Sequence, residues 1–150
     1  MEKVAVVTGG AQRIGSEIVR HLHSNDYTVV LHYRSSGAAA QTLARQLNDI
    51  RPASCLPLQA DLTYLADLGV LAQSVADHCD GIDLLVNNAS GFSPTPITSC
   101  TEAAFDAMLD ANLKGPYFLI QSFLPLLRAR SGNIVNIIDV HVDFPLRDYN

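Results

Sequence analysis

The stretch VAVVTGGAQRIG, Val4 to Gly15, decides the fold of this chain. Val4–Val7 is an apolar run typical of a buried strand, and a glycine-rich turn follows it directly. Ile14, Ile18 and Leu22 then recur at helical spacing, so a helix begins inside or just after the turn. In α/β sheets, a turn between the first strand and the first helix is where a dinucleotide pyrophosphate binds.

The glycines of this turn predict a phosphate-binding loop. Gly9 and Gly10 allow a tight turn, and Gly15 lets the helix pack close to the strand. The match to G-x-G-x-x-G is imperfect, because Arg13 stands where a further glycine is expected. A plain strand-to-helix turn is the alternative interpretation.

Four further strands are predicted after this unit, each separated from the next by a helix. They are Tyr27–Tyr33, Cys55–Ala60, Ile82–Val86 and Asn133–Ile138. Strands that are apolar on both faces and alternate with helices indicate a parallel sheet covered on both sides. We therefore expect one α/β domain over residues 1–150, with a doubly wound parallel sheet of the Rossmann type and five strands.

The last predicted helix is the longest. Thr101 is a plausible N-cap with Glu102 behind it, and the helical pattern continues towards Arg128. Pro116 and Pro125 are expected to kink or shorten this helix.

Composition excludes several classes of function. The net charge is −5 and Lys and Arg form no run, which argues against a nucleic-acid partner. No apolar stretch is long enough to span a membrane and no signal peptide is recognisable, so we expect a cytoplasmic protein. The five histidines and three cysteines have neither zinc spacing nor a disulfide framework, and no metal site is predicted.

The end of the second strand indicates which cofactor binds. A free ribose 2′-hydroxyl favours a carboxylate there, but the chain has His32, Tyr33, Arg34, Ser35 and Ser36. A guanidinium and two hydroxyls suit a 2′-phosphate, because Arg forms bidentate pairs with phosphate oxygens. The pattern predicts NADP rather than NAD. An exposed arginine on a loop is the alternative.

The next two strand ends carry further cofactor candidates. Asp61 and Leu62 follow the third strand, where the adenine should lie, although Asp61 could equally be a helix N-cap. Asn88, Ala89 and Ser90 follow the fourth strand, where small residues let a cofactor lie against the backbone.

Two residues beyond these strand ends suggest a substrate pocket. Phe92 lies in a loop rich in glycine and proline and could stack on a flat substrate ring, or anchor the loop in the core. Asp139 ends the fifth predicted strand, where a half-buried carboxyl group could handle a proton. A turn-forming aspartate is the alternative.

These motifs resemble the short-chain dehydrogenase/reductase superfamily. The resemblance rests on TGGAQRIG at the first turn, ADL at 60–62, NNAS at 87–90 and Asn112 in NLKGP. Within the superfamily the chain is most similar to the pteridine reductases. Arg13, the HYRSS segment at 32–36, the NNASGFSPTP segment at 87–96 and Asp139 indicate this.

The resemblance implies a reaction and a role for each residue. NADPH would pass a hydride to a pterin or folate, and the complete chain would form a homo-oligomer. Arg13 would hold the cofactor phosphates and the substrate, and Phe92 would sandwich the pterin against the nicotinamide. Asn112 would support a proton relay, and Asp139 would bind substrate and assist protonation. The remaining implied roles are those of Ser90 in the substrate site and of Gly9, Arg13, Ile14, Gly15, His32, Tyr33, Arg34, Ser35, Asp61, Leu62, Asn88, Ala89 and Ser90 in the cofactor site.

One departure from the superfamily pattern limits these expectations. The catalytic Tyr and Lys of the superfamily form a Tyr-x-x-x-Lys motif, which we expect beyond Asn150. Tyr149 has the wrong spacing from Asp139 and is read as a pocket neighbour. We therefore expect the C-terminal part of the family fold to be missing here, with an exposed apolar edge on the fifth strand. Another NADP-dependent short-chain carbonyl reductase and a non-catalytic dinucleotide-binding fragment are the alternatives.

Overall fold

One parallel sheet organises the molecule. The structure is a computed structural model that describes residues 2–149. Its five strands are β1 (Lys3–Val7), β2 (Tyr27–Tyr33), β3 (Cys55–Gln59), β4 (Leu84–Asn87) and β5 (Asn133–Asn136). They lie in the order β3-β2-β1-β4-β5, and each pair is parallel. This confirms the predicted doubly wound α/β fold of the Rossmann type.

Helices cover both faces of the sheet. They are α1 (Arg13–Ser24), α2 (Gly37–Ile50), α3 (Leu65–Ala76), α4 (Glu102–Leu109) and α5 (Gly115–Arg130). Alternate residues of the central strands point to opposite faces. Val7 packs in one core cluster with α1 and α2, whereas Val6 packs in the other with α3 and α5.

The strand order places β1 between two partners that come later in the chain. Ala5 pairs with Val29 of β2 on one side and with Leu84 of β4 on the other. The order of the strands therefore reverses between β1 and β4, which is where open α/β sheets form a crevice. The chain also leaves every strand at the same rim, since all the strands are parallel.

Five predicted strand boundaries differ from the structure. β1 begins at Lys3 rather than Val4, and β4 ends at Asn87 rather than Val86. β3 ends at Gln59 and β4 begins at Leu84, whereas β5 ends at Asn136 rather than Ile138. The Ile137 N–H still bonds to the Asn87 carbonyl, but the chain then turns into a short 3-10 segment, Val140–Val142. Pro57 is tolerated in β3 because β3 is an edge strand.

The long helix predicted from Thr101 towards Arg128 is present from Glu102 to Arg130, but it changes its hydrogen bonding just before Pro116. A π-helical segment, Asp110–Lys114, separates α4 from α5. The cause is Pro116, which has no N–H to donate and whose ring would clash with the carbonyl four residues earlier. Pro125 lies inside α5 without ending it, and Thr101 caps α4 by accepting the Ala104 N–H at 3.2 Å, as predicted.

Two groups of exposed apolar side chains lie on β5 and along α4 and α5. In β5, Ile134 and Val135 are 39% and 43% exposed although they point to opposite faces, so neither face of this strand is covered. The exposed apolar edge predicted for the fifth strand is therefore present. Exposed aromatic and leucine side chains also lie along the stretch from α4 to α5. None of the helices among residues 2–149 is both long and apolar enough to traverse a bilayer.

Candidate cofactor and substrate site

A cleft of about 440 Å³ lies at the carboxyl ends of β1 to β4. Every residue that the sequence predicted for cofactor binding lines it: Gly9, Arg13, Ile14, Gly15, His32, Tyr33, Arg34, Ser35, Asp61, Leu62, Asn88, Ala89 and Ser90. The structure thus brings together segments that are up to 81 residues apart. Ser36, whose hydroxyl was predicted to suit a 2′-phosphate, lines the cleft as well, and so do four residues that were not predicted: Ala11, Gln12, Thr63 and Ala111.

The glycine turn is built so tightly that side chains cannot enter it. Gly9 has φ +62°, in the left-handed region that favours glycine. A Cβ on Gly15 would lie 2.1 Å from the Gly9 carbonyl oxygen and 2.6 Å from Nδ2 of Asn88. The first turn of α1 therefore rests directly on the backbone of Gly9.

The start of α1 presents free donors to the cleft. The Ser16 N–H bonds to the Gln12 carbonyl, but the N–H groups of Arg13, Ile14 and Gly15 have no acceptor among residues 2–149. Arg13 is exposed and has φ 51°, which is unusual for a residue with a side chain. An anion at this helix end would meet three N–H groups and a guanidinium.

Thr8 and Asn88 form the floor below the turn. The Thr8 hydroxyl oxygen accepts the N–H groups of Asn88 and Ala89, each at 2.9 Å. The Asn88 amide nitrogen in turn donates to the Thr8 carbonyl at 2.9 Å. Asn88 therefore ties β4 to β1, and sequence reasoning missed Thr8, whose only signal was a hydroxyl at the end of an apolar strand.

The end of β2 leads into a helix with an uncapped N-terminus. Arg34 and Ser35 are exposed at the cleft, and Ser36 precedes α2 without capping it through its side chain. No acidic residue lies in the first turn of α2. The Ser36 hydroxyl instead donates to Oε1 of Gln12 at 3.3 Å, which links the two predicted phosphate-binding segments.

Asp61 closes a turn rather than capping a helix. Its carboxylate accepts the N–H and the hydroxyl of Thr63, at 3.0 and 2.8 Å, and α3 begins only at Leu65. Partial burial alone would raise the pKa of Asp61, but the Thr63 hydrogen bonds and the nearby Arg34 guanidinium lower it on balance. The N-cap alternative is wrong, and a carboxylate stays available at this edge of the cleft.

His32 lines the cleft from a buried position. It is 1% exposed, and both ring nitrogens are within hydrogen-bond distance of backbone groups. Its side chain therefore belongs to the wall of the site.

Of the predicted substrate residues, Arg13 and Ser90 line this cleft, whereas Phe92 and Asp139 lie outside its lining. Phe92 is 57% exposed, so it does not anchor its loop in the core. Its ring stacks on Tyr149 with centroids 4.4 Å apart and lies nearly parallel to the His141 ring at 6.2 Å. These three rings form an aromatic group on the loops that follow β4 and β5.

Asn112 uses its side chain to hold the loop that carries Phe92. Its amide nitrogen donates to the carbonyls of Gly91 and Met108, at 2.9 and 3.0 Å. Its amide oxygen accepts the Gly91 N–H at 3.0 Å. All of these bonds come from the π-helical segment, which therefore positions the loop.

Asp139 is exposed, and the half-buried environment expected for it is not found. β5 ends at Asn136, two residues before its predicted end at Ile138 and three residues before Asp139. The carboxylate accepts the His141 N–H at 3.0 Å and so caps the 3-10 segment. Asp139 thus forms the turn that the alternative interpretation describes.

No group of three or more His, Cys, Asp or Glu side chains within residues 2–149 could hold a metal ion. Cys55 is buried, and burial raises the pKa of its thiol to about 11. His23 and Ser54 lie 2.7 Å apart, but the Ser54 hydroxyl donates to the Arg51 carbonyl. This pair is therefore a structural contact rather than a nucleophile with its base.

Comparison with known proteins places these features in a family. The sequence profile described as short chain dehydrogenase matches residues 3–147. Pteridine reductase 1 of Leishmania tarentolae is 35% identical, with 97% of this chain and 64% of the relative covered. Galactitol 2-dehydrogenase of Agrobacterium fabrum is 34% identical, with 90% and 52% covered.

A third relative is named for another activity. The 3-oxoacyl-[acyl-carrier-protein] reductase of Staphylococcus aureus is 30% identical over 93% of this chain and 57% of its own length. The chain thus spans between about half and two thirds of the length of these relatives.

Proposed function

The chain belongs to the short chain dehydrogenase family, and on that premise we propose that it is the cofactor-binding part of an NADPH-dependent pteridine reductase. One observation carries the choice of cofactor: Arg34, Ser35 and Ser36 meet the uncapped start of α2 at the rim of the cleft. The relatives are longer than this chain, and we place the Tyr and Lys that the resemblance implies beyond Asn150. The protein would act in the cytoplasm.

The residues of the cleft fit a dinucleotide. The space that a Cβ on Gly15 would occupy is filled by the Gly9 carbonyl. Because Gly15 has no side chain, the N-terminus of α1 stays accessible from the cleft. The free N–H groups of Arg13, Ile14 and Gly15 suit a pyrophosphate. Asp61 offers a carboxylate for the adenine edge. When bound, the nicotinamide would supply a hydride, and the protein's part is to hold and orient it.

Arg13, which stands where a glycine is expected, would bind the cofactor phosphates through its guanidinium. Its guanidinium would add charge-assisted hydrogen bonds to those of the helix end, which alone stabilises an anion by about 0.3–1 kcal/mol. Its exposure at the rim leaves it free to contact a substrate as well.

The assignment of a pterin rests on the aromatic group and the family resemblance. Phe92 and Tyr149 already stack, so a flat heteroaromatic ring could pack on the same loop. Ser90 lines the cleft on the approach to Phe92. Asp139 is exposed and could reach a substrate, and Asn112 would act through the Gly91 loop.

A second candidate is a reductase of other carbonyl compounds. Relatives named galactitol 2-dehydrogenase and 3-oxoacyl-[acyl-carrier-protein] reductase reach identities of 34% and 30%, close to the 35% of the pteridine reductase. Oxidation of NADPH in the complete protein separates the two candidates. Dihydropterin or dihydrofolate should be turned over, and simple ketones should not.

Binding of the two cofactors tests the central proposal. The chain should bind NADPH at least tenfold more tightly than NADH, because hydrogen bonds to a charged group contribute about 1.5–3 kcal/mol. Arg34→Ser should remove most of this difference. Arg45→Ser is the matched control, since Arg45 lies on α2 and its side chain bonds, among residues 2–149, only to the Thr42 hydroxyl. Equal affinities in the unmodified chain would refute the NADP assignment.

We also propose that the protein self-associates through the α4–α5 stretch. Phe105, Leu109, Leu113 and Tyr117 recur every four residues and are 41–64% exposed. Leu113→Glu should lower the sedimentation coefficient at high protein concentration, whereas Val70→Glu on α3 should not. A monomer at all concentrations in the unmodified protein would contradict this proposal.

A further inference from the structure

Residue 32 joins three parts of the cleft. The Gly10 N–H donates to the His32 carbonyl at 2.9 Å, and the Gly9 N–H donates to the ring nitrogen Nδ1 at 3.3 Å. The other ring nitrogen, Nε2, lies 3.0 Å from the Ala60 carbonyl oxygen at the end of β3. One residue of β2 therefore takes both glycine N–H groups of the first turn and links that turn to the next strand.

The two ring contacts determine the protonation state of His32. A backbone N–H can only donate, so Nδ1 must carry a lone pair. A carbonyl can only accept, so Nε2 must carry the hydrogen. Only the neutral ring protonated on Nε2 satisfies both partners. An imidazolium would direct a second N–H at the Gly9 N–H, inside a site where the ring is only 1% exposed.

The glycine turn in turn fixes the start of α1. The Gly9 and Gly10 N–H groups are both taken by His32, so the donors left for an anion lie further along the turn and include those of Arg13, Ile14 and Gly15. Gly15 rests on the Gly9 carbonyl. A displacement of Gly9 therefore moves the anion-binding end of the helix.

We propose that His32 is a positioning residue that holds the phosphate-binding turn in place only while its ring is neutral. Affinity for the dinucleotide then falls when the ring takes up a proton. This inference rests on the proposed function for its ligand, but not for its geometry.

The charges around His32 define the pH range. Burial lowers the pKa of His32 below its usual 6.5, whereas the Ala60 contact and the Asp61 carboxylate oppose this shift. The Arg34 guanidinium in turn contributes to lowering the pKa of Asp61, and Arg13 lies across the cleft. The ring is thus neutral at pH 7 and takes up its proton only in acid below pH 6.5.

A pH titration of the unmodified chain tests the proposal without any variant. The ¹⁵N shifts of the His32 ring should show hydrogen on Nε2 alone at pH 7.5. On acidification, the Gly9 amide resonance should shift together with ring protonation. NADH affinity should fall over the same range, by up to about tenfold per pH unit. NADH is the probe because it lacks the 2′-phosphate, which titrates near pH 6.

Variants separate positioning from a structural role. His32→Gln can still donate to Ala60 but offers no group that titrates, so its NADH affinity should be weaker at pH 7.5 and flat down to pH 5.5. His21→Gln replaces an exposed histidine on α1 and should keep the full pH dependence.

Different results overturn different claims. An unchanged Gly9 amide beside a protonated ring, or equal pH slopes in the unmodified chain and His32→Gln, would refute the positioning role. If neither NADH nor NADPH binds at any pH, the proposed function fails. The Gly9 shift would then decide alone whether His32 holds the turn.

Discussion

The backbone of Arg13 takes the left-handed conformation that glycine adopts freely, with φ 51°. A residue with a side chain is strained there, typically by about 1 kcal/mol or more. A strained residue at a candidate binding site suggests that its side chain serves a function that offsets the strain. This explains physically why a glycine is expected at this position.

Two substitutions of Arg13 should separate stability from binding. Arg13→Gly should raise the free energy of unfolding by up to about 1 kcal/mol, because glycine relieves the strain. Arg13→Ala keeps the strain and should not. Both should weaken NADPH binding roughly tenfold by removing the guanidinium. Urea denaturation and fluorescence titration measure the two effects. Retained affinity in both variants would show that Arg13 does not contact the cofactor.

Gly15 should tolerate no side chain. A Cβ there would meet the Gly9 carbonyl oxygen at 2.1 Å, and a backbone contact cannot relax cheaply. Gly15→Ala should lower the free energy of unfolding by about 3 kcal/mol. Gly69→Ala is the control, since a Cβ on that helical residue meets nothing within 4 Å. It should stabilise α3 by about 0.5–1 kcal/mol. Similar stabilities for the two variants would contradict the packing described here.

At the same scale, the sequence predicts which residues line the cleft but not what each one does. Gly9, Arg34 and Asp61 were predicted from local patterns at strand ends, and they lie together. The buried role of His32 depends on partners 23 and 28 residues away, and a pattern carries no such distances.

The π-helical segment shows how one element positions another. Pro116 is visible in the sequence, but a proline can kink a helix, end it or widen one turn. Here the helix is widened by one π-helical turn, Asp110–Lys114, and this turn presents Asn112 to Gly91. The substrate loop is therefore held by a helix defect rather than by its own residues.

Asn112→Asp should loosen that loop. The carboxylate can still accept the Gly91 N–H, but it would repel the carbonyls of Gly91 and Met108. We expect faster hydrogen exchange at Gly91 and a loss of roughly 1 kcal/mol in unfolding free energy at pH 7. Asp110→Asn breaks only the exposed ion pair with Lys114 and serves as the control. Unchanged exchange at Gly91 would show that the amide does not hold the loop.

For the whole molecule, two buried histidines link stability to pH. Burial lowers the pKa of both His23 and His32, with Arg51 adding to the effect at His23. His32 lies near the carboxyl end of β2, whereas His23 lies in α1 and contacts Ser54, which directly precedes β3. The unfolded chain therefore takes up protons that the folded chain resists.

Stability should be full above pH 6.5 and fall as the pH drops from 6.5 towards the lower folded-state pKa values. Each histidine adds a slope of up to about 1.4 kcal/mol per pH unit. Urea denaturation at pH 7.5 and 5.5 measures this loss. His23→Gln should reduce it, and His78→Gln on the exposed surface should not. An equal loss in His23→Gln would exclude His23 as a cause.

The overall fold was more predictable than its closing elements. Apolar strands alternating with helices specify a parallel sheet, because each strand must be buried on both faces. β5 is an exception, because both of its faces are exposed. Its apolar residues therefore do not mark how far the strand extends, and the strand ends at Asn136 rather than at Ile138.

The position of β1 between β2 and β4 also determines the order in which the sheet can form during translation. β1 to β3 can pair once residue 59 has left the ribosome, but the Thr8 hydroxyl waits for Asn88 and Ala89. The nascent chain thus builds one half of the cleft a helix and a strand ahead of its floor. A bound nucleotide can therefore stabilise the complete cleft only after β4 has emerged, so it acts late in folding and does not nucleate it.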